Sequence, residues 1–225
     1  MTGQLKRPQT GPRATAERNY HHGDLRAAMV AATMEILQEQ GLSGLSVREA
    51  AKRAGVSAGA PFRHFSSRKA LLTAVAEEAT HNLRRDVQAA LERSGAADAR
   101  TQFRALGAAY TRWALANPVQ FEVISDRRII DYDASPVLRA TNDQLRALMD
   151  SLLAQILAEA GQTCLPEEIQ RVRLEARALA YGLARMLIDG HFSDWAITGE
   201  APATSIERVI DNFVARIGAK PASRG

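Results

Sequence analysis

Between Ser46 and Phe65 the chain reads SVREAAKRAGVSAGAPFRHF. Arg48, Arg63 and His64 in this stretch, and Lys69 just after it, carry groups suited to a polyanionic partner. Guanidinium and ammonium groups neutralise phosphate charge, and arginine also matches the major-groove edge of guanine. Beside them stand Ala58, Gly59, Ala60 and Pro61, small enough to let a backbone approach a groove floor, with Ala60 or Pro61 placed to touch a thymine methyl. This is binding chemistry, not bond making. No nucleophile elbow, phosphate-binding glycine loop or metal-ligand spacing occurs in the chain, so an enzyme is not expected. His21 and His22 are adjacent at a helix start and point apart, which suits capping or phosphate contact better than a metal. No metal or cofactor is expected.

The elements that must position these groups are two short helices around a tight turn. Ser46 and Glu49 form a capping box ahead of VREAAKRA, whose Val47, Ala50, Ala51 and Ala54 share one face. Gly55 stands where a left-handed residue ends the first helix. Val56 plugs the turn, Ser57 caps a second helix over residues 58–65, and Pro61 falls within its first turn. The geometry implied is a helix-turn-helix whose second helix enters a DNA major groove. Arg63 is the base reader or phosphate clamp of that helix, and Arg48 a second base contact. His64 and Lys69 grip phosphates, Phe62 packs on the sugar-phosphate backbone, and Phe65 anchors the helix to the core. With the caps Ser46 and Ser57 included, the expected DNA-facing set runs from Ser46 to Lys69.

The run Ala51, Ala54, Gly55, Val56, Ser57, Gly59, Phe62, His64 and Phe65, with Lys69 and Leu72 downstream, resembles the DNA-reading core of the TetR (tetracycline repressor) family of bacterial transcription regulators. Those proteins usually carry a version of A-x-x-A-G-V-S-x-G-x-h-Y-x-H-F followed by K-x-x-L. Ala60 stands where threonine is common, Pro61 where an aliphatic residue is common, and Phe62 where tyrosine is common, so two hydroxyls suited to phosphate are missing. The start Tyr20-His21-His22-Gly23-Asp24-Leu25-Arg26 is similar to that of one subset of the family. The match covers residues 20 to 80; beyond it only length and helical rhythm agree.

Charge supports the same partner. Residues 1–80 hold 11 Lys and Arg against 7 Asp and Glu, whereas residues 81–225 hold 18 of each. All the excess positive charge lies with the helix-turn-helix, the footprint of phosphate binding. A hydrophobic content of 46% supports a real core, and few aromatics with much Ala and Leu favour packed helices. No apolar run reaches the ~20 residues of a membrane span, and the polar N-terminus makes a cytoplasmic location the default. Cys164 is the single cysteine, so no internal disulfide and no cysteine-built metal site are expected.

The expected fold is all-α, with about nine helices. Residues 1–19 form a disordered basic tail, either an inert leader or an arm that tracks phosphates. Residues 20–67 form a three-helix DNA-binding domain. Residues 68–218 form a helical effector-binding and dimerisation domain, entered by a long helix from about residue 68 to 93. Further helices are expected over 98–116, 119–130, 136–160, 166–190 and 204–217, with 191–202 an irregular loop and 219–225 a polar tail.

The family resemblance implies an effector cavity in the second domain. Phe103, Tyr110, Trp113, Phe121, Tyr132, Met149 and Tyr181 are its candidate lining, although aromatics at helical spacing also suit plain core. Arg112, Asp126, Arg127, Arg128 and His191 are candidates to orient a polar group, or else surface residues. The resemblance also implies a homodimer through a four-helix bundle, for which Leu179, Leu183, Leu187, Ile206, Ile210 and Phe213 are candidates. Two heads one DNA turn apart, ~34 Å, demand a palindromic operator. The expected protein is a repressor released from that operator by a small-molecule effector. The alternative is a DNA-binding protein without an effector, constitutive or controlled by a partner.

Overall fold

A computed structural model of the chain describes residues 22–57, 59–95, 97–162, 164–195 and 201–219. The expected basic tail, Tyr20, His21, Ala58 and residues 220–225 lie outside these. Among the described residues there are nine α-helices and no strand: α1 (His22–Gln40), α2 (Val47–Arg53), α3 (Arg68–Ser94), α4 (Ala99–Ala116), α5 (Pro118–Ser125), α6 (Pro136–Glu159), α7 (Pro166–Ile188), α8 (His191–Asp194) and α9 (Pro202–Arg216). Leu42–Gly44 and Pro61–Arg63 are 3₁₀ turns. The all-α reading holds, but the nine are not the nine expected. The segment at 58–65 supplies only the 3₁₀ turn, and α8 replaces part of the expected loop at 191–202.

α1 exists because Leu25, Met29, Ala32, Ile36 and Leu37 form one buried stripe. That stripe packs with Ala50 and Ala51 of α2, with Phe65, and with Leu71, Leu72 and Val75 from the start of α3. The same core takes in Val123, Ile130 and Leu138, so the head is closed below by α5 and the segment after it. The second core gathers Phe103, Leu106 and Trp113 of α4, Leu153 and Ile156 of α6, and Ile206, Ile210 and Val214 of α9. Leu83 and Val87 from the middle of α3 belong to it. One helix therefore contributes to both cores. Arg100 of α4 donates to the carbonyls of Val214 and Ile217, satisfying acceptors that the end of α9 leaves open.

The two cores are also joined by polar contacts on one face of α3. Glu77 accepts from Arg26 of α1 at 2.5 Å and from the Ser135 hydroxyl at 2.7 Å. Ser135, 4% exposed, caps α6 by accepting the Leu138 N–H at 3.2 Å. One turn earlier on α3, Thr73 Oγ1 accepts the Asp131 N–H at 2.9 Å. A single carboxylate thus ties the head to the cap of a second-core helix.

Two expected boundaries move for local reasons. The helix expected over 119–130 stops at Ser125, because Asp126 turns extended and its carboxylate accepts the Arg128 N–H at 2.9 Å, an Asx-type turn that competes with the helix. After Gly190, α8 forms and buries Phe192 to 5% exposure.

Phe65 and Phe62 separate packing from contact: the first is 3% exposed and the second 51%. Urea denaturation should show Phe65→Ala destabilised by ~3–5 kcal/mol, whereas Phe62→Ala should stay within about 0.5 kcal/mol of the parent.

Candidate nucleic-acid interface and ligand cavity

The local fold of the head follows the capping chemistry. Ser46 Oγ accepts the Glu49 N–H at 3.1 Å and starts α2. Gly55 adopts φ +70°, a conformation that strains a residue with a Cβ, and the Val56 N–H closes back on the Ala51 carbonyl at 3.0 Å. Past the turn, the Ala60 N–H bonds the Ser57 carbonyl at 3.0 Å, and the Phe65 N–H bonds the Pro61 carbonyl at 2.8 Å. Pro61 has no N–H to return to Ser57, so the segment tightens into a 3₁₀ turn instead of the expected eight-residue helix.

Pro61 itself is buried, which corrects its expected place on the groove floor. Ala60 is half-buried against the core of the head. Gly59, Phe62, Arg63 and His64 are exposed together, and open space lies where a Gly59 side chain would point. Ser46, Arg48, Ser57 and Lys69 are exposed as well. Ser67 caps α3 by accepting the Ala70 N–H at 3.1 Å, which sets Lys69 on its first turn.

The cations of the head fall into two groups. Arg26 pairs with Glu77, Arg53 pairs with Glu39 at 2.7 Å, and Arg68 donates to the Leu42 carbonyl. These brace the fold, and the Glu39 hydrogen bond raises the Arg53 pKa above its ordinary value. Arg48, Lys52, Arg63 and Lys69 have no carboxylate partner among the described residues. Their charge is left to face outward, which is the electrostatic requirement for phosphate contact. Lys52 was not singled out by the sequence reading.

The second site is a cavity of about 720 Å³ between α3, α4, α6 and α7, within the size range of small-molecule sites. Of the expected lining, Tyr110, Tyr132 and Met149 border it. Phe103 borders a smaller void of about 50 Å³ that shares Tyr110 and Met149. Trp113, 3% exposed, and fully buried Phe121 border neither; both are core, and this corrects their assignment. Tyr181 also borders neither: it lies 36% exposed on α7, its ring 5.5 Å from Phe121. Of the candidate polar groups only Arg127 reaches the cavity, over the Tyr132 ring at 3.2 Å. Arg112 pairs at 3.4 Å with Glu207, Arg128 with Asp126 at 2.8 Å, and His191 with Asp194 at 3.3 Å. The sequence reading missed Arg84, Arg146, Arg173 and Arg177, which border the cavity from three helices. Their signal was one of sign: helix faces toward the cavity bearing arginine and no acid.

Among the expected dimer contacts, Ile206 and Ile210 are 1% and 5% exposed. They are corrected to core positions, since α9 packs on α4 through them, with Ile210 3.3 Å from the position of a Gly107 Cβ. Leu179, Leu183, Leu187 and Phe213 are only partly buried, and beside them Leu174 and Val209 are 69% and 38% exposed.

A cationic helix-turn-helix head on a helical body with a ligand-sized cavity defines a transcription regulator of the DNA-binding class. Family comparison agrees. The family described as bacterial regulatory proteins, tetR family, matches residues 29–75, and the tetracyclin repressor-like C-terminal domain matches residues 103–213. The chain belongs to the TetR family of transcriptional regulators. The HTH-type transcriptional regulator BetI of Cronobacter sakazakii (strain ATCC BAA-894) is 29% identical over 175 residues, 78% of this chain and 81% of that protein. A protein of unknown function from Rhodococcus sp. RHA1 shares the fold with a TM-score of 0.74, at 28% identity, covering 90% of this chain and 100% of that one. A tetR-family regulatory protein from Rhodococcus RHA1 gives a TM-score of 0.64 at 19% identity, covering 87% of this chain and 98% of its own.

Arg128 holds the Asp126 carboxyl down at about 2, through a side-chain hydrogen bond first and the backbone N–H second. The folded carboxyl is more acidic than the ordinary value of 3.8, so the turn's contribution to stability is complete above that value and is lost as pH falls through about 2. An NMR titration should place the Asp126 midpoint near 2 in the parent and closer to 3.8 in Arg128→Ala.

Proposed function

We propose that the chain is a homodimeric repressor that leaves a palindromic operator when a small molecule fills the cavity between α3, α4, α6 and α7. The observation that carries this reading is the shared helix. α3 bears Lys69 at the exposed head and Leu83, Arg84 and Val87 at the cavity wall, so occupancy of one bears mechanically on the other. An effector shifts the population only if it binds the released arrangement more tightly than the operator-competent one. In functional terms the DNA-binding unit is residues 20–67, and the effector and dimerisation unit residues 68–218, with the first turns of α3 common to both.

In this reading the exposed set Gly59, Phe62, Arg63 and His64 lies toward the groove, with Ala58 and Ala60 allowing close approach. Arg63 and Arg48 read bases, while His64 and Lys69 hold phosphates, with Ser46 and Ser57 at the same surface. Dimerisation uses α7 and α9 through Leu179, Leu183, Leu187 and Phe213, supported by the exposed Leu174, Tyr181 and Val209, a set of apolar side chains one subunit leaves partly open. No helix among the described residues is long and apolar enough to cross a membrane, and the proposed place of action is the cytoplasm.

Selection of bound sequences from random DNA with the full-length protein tests the reading. A palindromic consensus with half-sites one helical turn apart is expected, and asymmetric or sequence-indifferent selection would overturn it. On the selected operator, Lys69→Ala should weaken binding uniformly across sequences and reduce the salt slope by about 1. Arg63→Ala should relax preference at one base position of each half-site. An unchanged salt slope for Lys69→Ala would remove its phosphate role.

A further inference from the structure

Every charged side chain that borders the large cavity is an arginine: Arg84, Arg127, Arg146, Arg173 and Arg177. Two are neutralised from outside the lining, Arg146 by Asp143 at 3.0 Å and Arg173 by Asp150. The other three have no carboxylate partner among the described residues. Arg84 donates only to the neutral Gln144 amide oxygen at 3.0 Å, Arg127 lies over Tyr132, and Arg177 stands 4.9 Å from the centre of the Tyr110 ring. A pocket for a cation or a strongly basic molecule does not gather uncompensated guanidinium groups, because like charges at this range repel.

Tyr110 adds a second, independent observation. The residue is 4% exposed, borders both the large cavity and the smaller apolar void, and its hydroxyl lies beside the Arg177 guanidinium without forming a well-aligned hydrogen bond. A buried hydroxyl left without a partner is costly, and such groups mark places where a partner is expected. Burial raises the phenol's pKa, with the charge and hydrogen bonding of Arg177 opposing, so the hydroxyl keeps its proton at neutral pH and is available as a donor. Guanidinium and phenol both donate, and the complementary group is an acceptor bearing negative charge. Away from them the wall is apolar and buried, formed by Leu83, Val87, Ile130, Leu138 and Met149.

We propose that the effector is an amphipathic organic anion, an apolar small molecule carrying one carboxylate or phosphate group that Arg177 and the Tyr110 hydroxyl hold. This rests on the effector-responsive reading above and names the chemistry of the molecule that fills its cavity. The anionic group sits where the two cavities meet, and the apolar part lies along the buried wall.

The test measures binding to the full-length protein by calorimetry and thermal shift, with four probes of one chain length: decanoate, decyl phosphate, decan-1-ol and decyltrimethylammonium. At least one anion should bind about tenfold or more tightly than the alcohol and the cation, and which anion wins distinguishes the carboxylate from the phosphate source. Arg177→Gln should lower that anion's affinity by about tenfold while leaving decan-1-ol unchanged. Tyr110→Phe should lower it several-fold, yet the melting temperature of the free protein should change little, because the lost hydroxyl makes no well-aligned bond there. If decan-1-ol or the cation binds as tightly as either anion, or if both substitutions leave anion affinity unchanged, the anion assignment is overturned while the effector cavity stands. If none of the four binds, both the assignment and the effector reading fail.

Discussion

The continuity of α3 is the constraint on which the rest of the molecule depends. Its 27 residues span about 40 Å without a break. Leu71, Leu72 and Val75 close the head core, and Leu83 and Val87 enter the second core two to four turns later. A helix that is buried at both ends cannot tilt at one without disturbing packing at the other, because protein interiors are close-packed and resist continuous deformation. Coupling of the kind proposed above would need no hinge or long-range wire, because two hydrophobic cores share one rod.

The exposed segment at the end of that rod is short. Proline at position 61 removes the N–H that would extend it into a regular helix, and the residue itself is buried. What remains outside is one turn carrying Phe62, Arg63 and His64. In the dimeric reading proposed above, most sequence information would come from few side chains and from two copies at a fixed distance, so that specificity and assembly become one problem.

The head was largely legible in the sequence because its determinants are local. The Ser46 cap, the positive φ at Gly55 and the Ser67 cap each depend on residues a few positions apart. The second site was legible only in outline. The candidate lining included Tyr110, Tyr132 and Met149, which border the cavity, but also Trp113 and Phe121, which fill core. Periodicity tells which face of a helix is apolar and not whether a void or another side chain meets that face. The arginines were missed for the complementary reason: Arg84, Arg146 and Arg177 sit on separate helices, and only the tertiary fold brings them to one rim. Ile206 and Ile210 show a further limit, since an apolar stripe on α9 reads identically whether α4 or a second subunit covers it.

Glu77 sets a condition on the seam between the two cores. With one oxygen toward Arg26 and the other toward Ser135, it makes the junction between head and body a matched set drawn from three distant stretches of chain. A reader grafted from a relative onto this body would arrive without its counterpart unless the positions equivalent to 26, 77 and 135 travelled together. A change at any one of these three positions therefore leaves a polar partner unpaired at the seam, whichever half carries it.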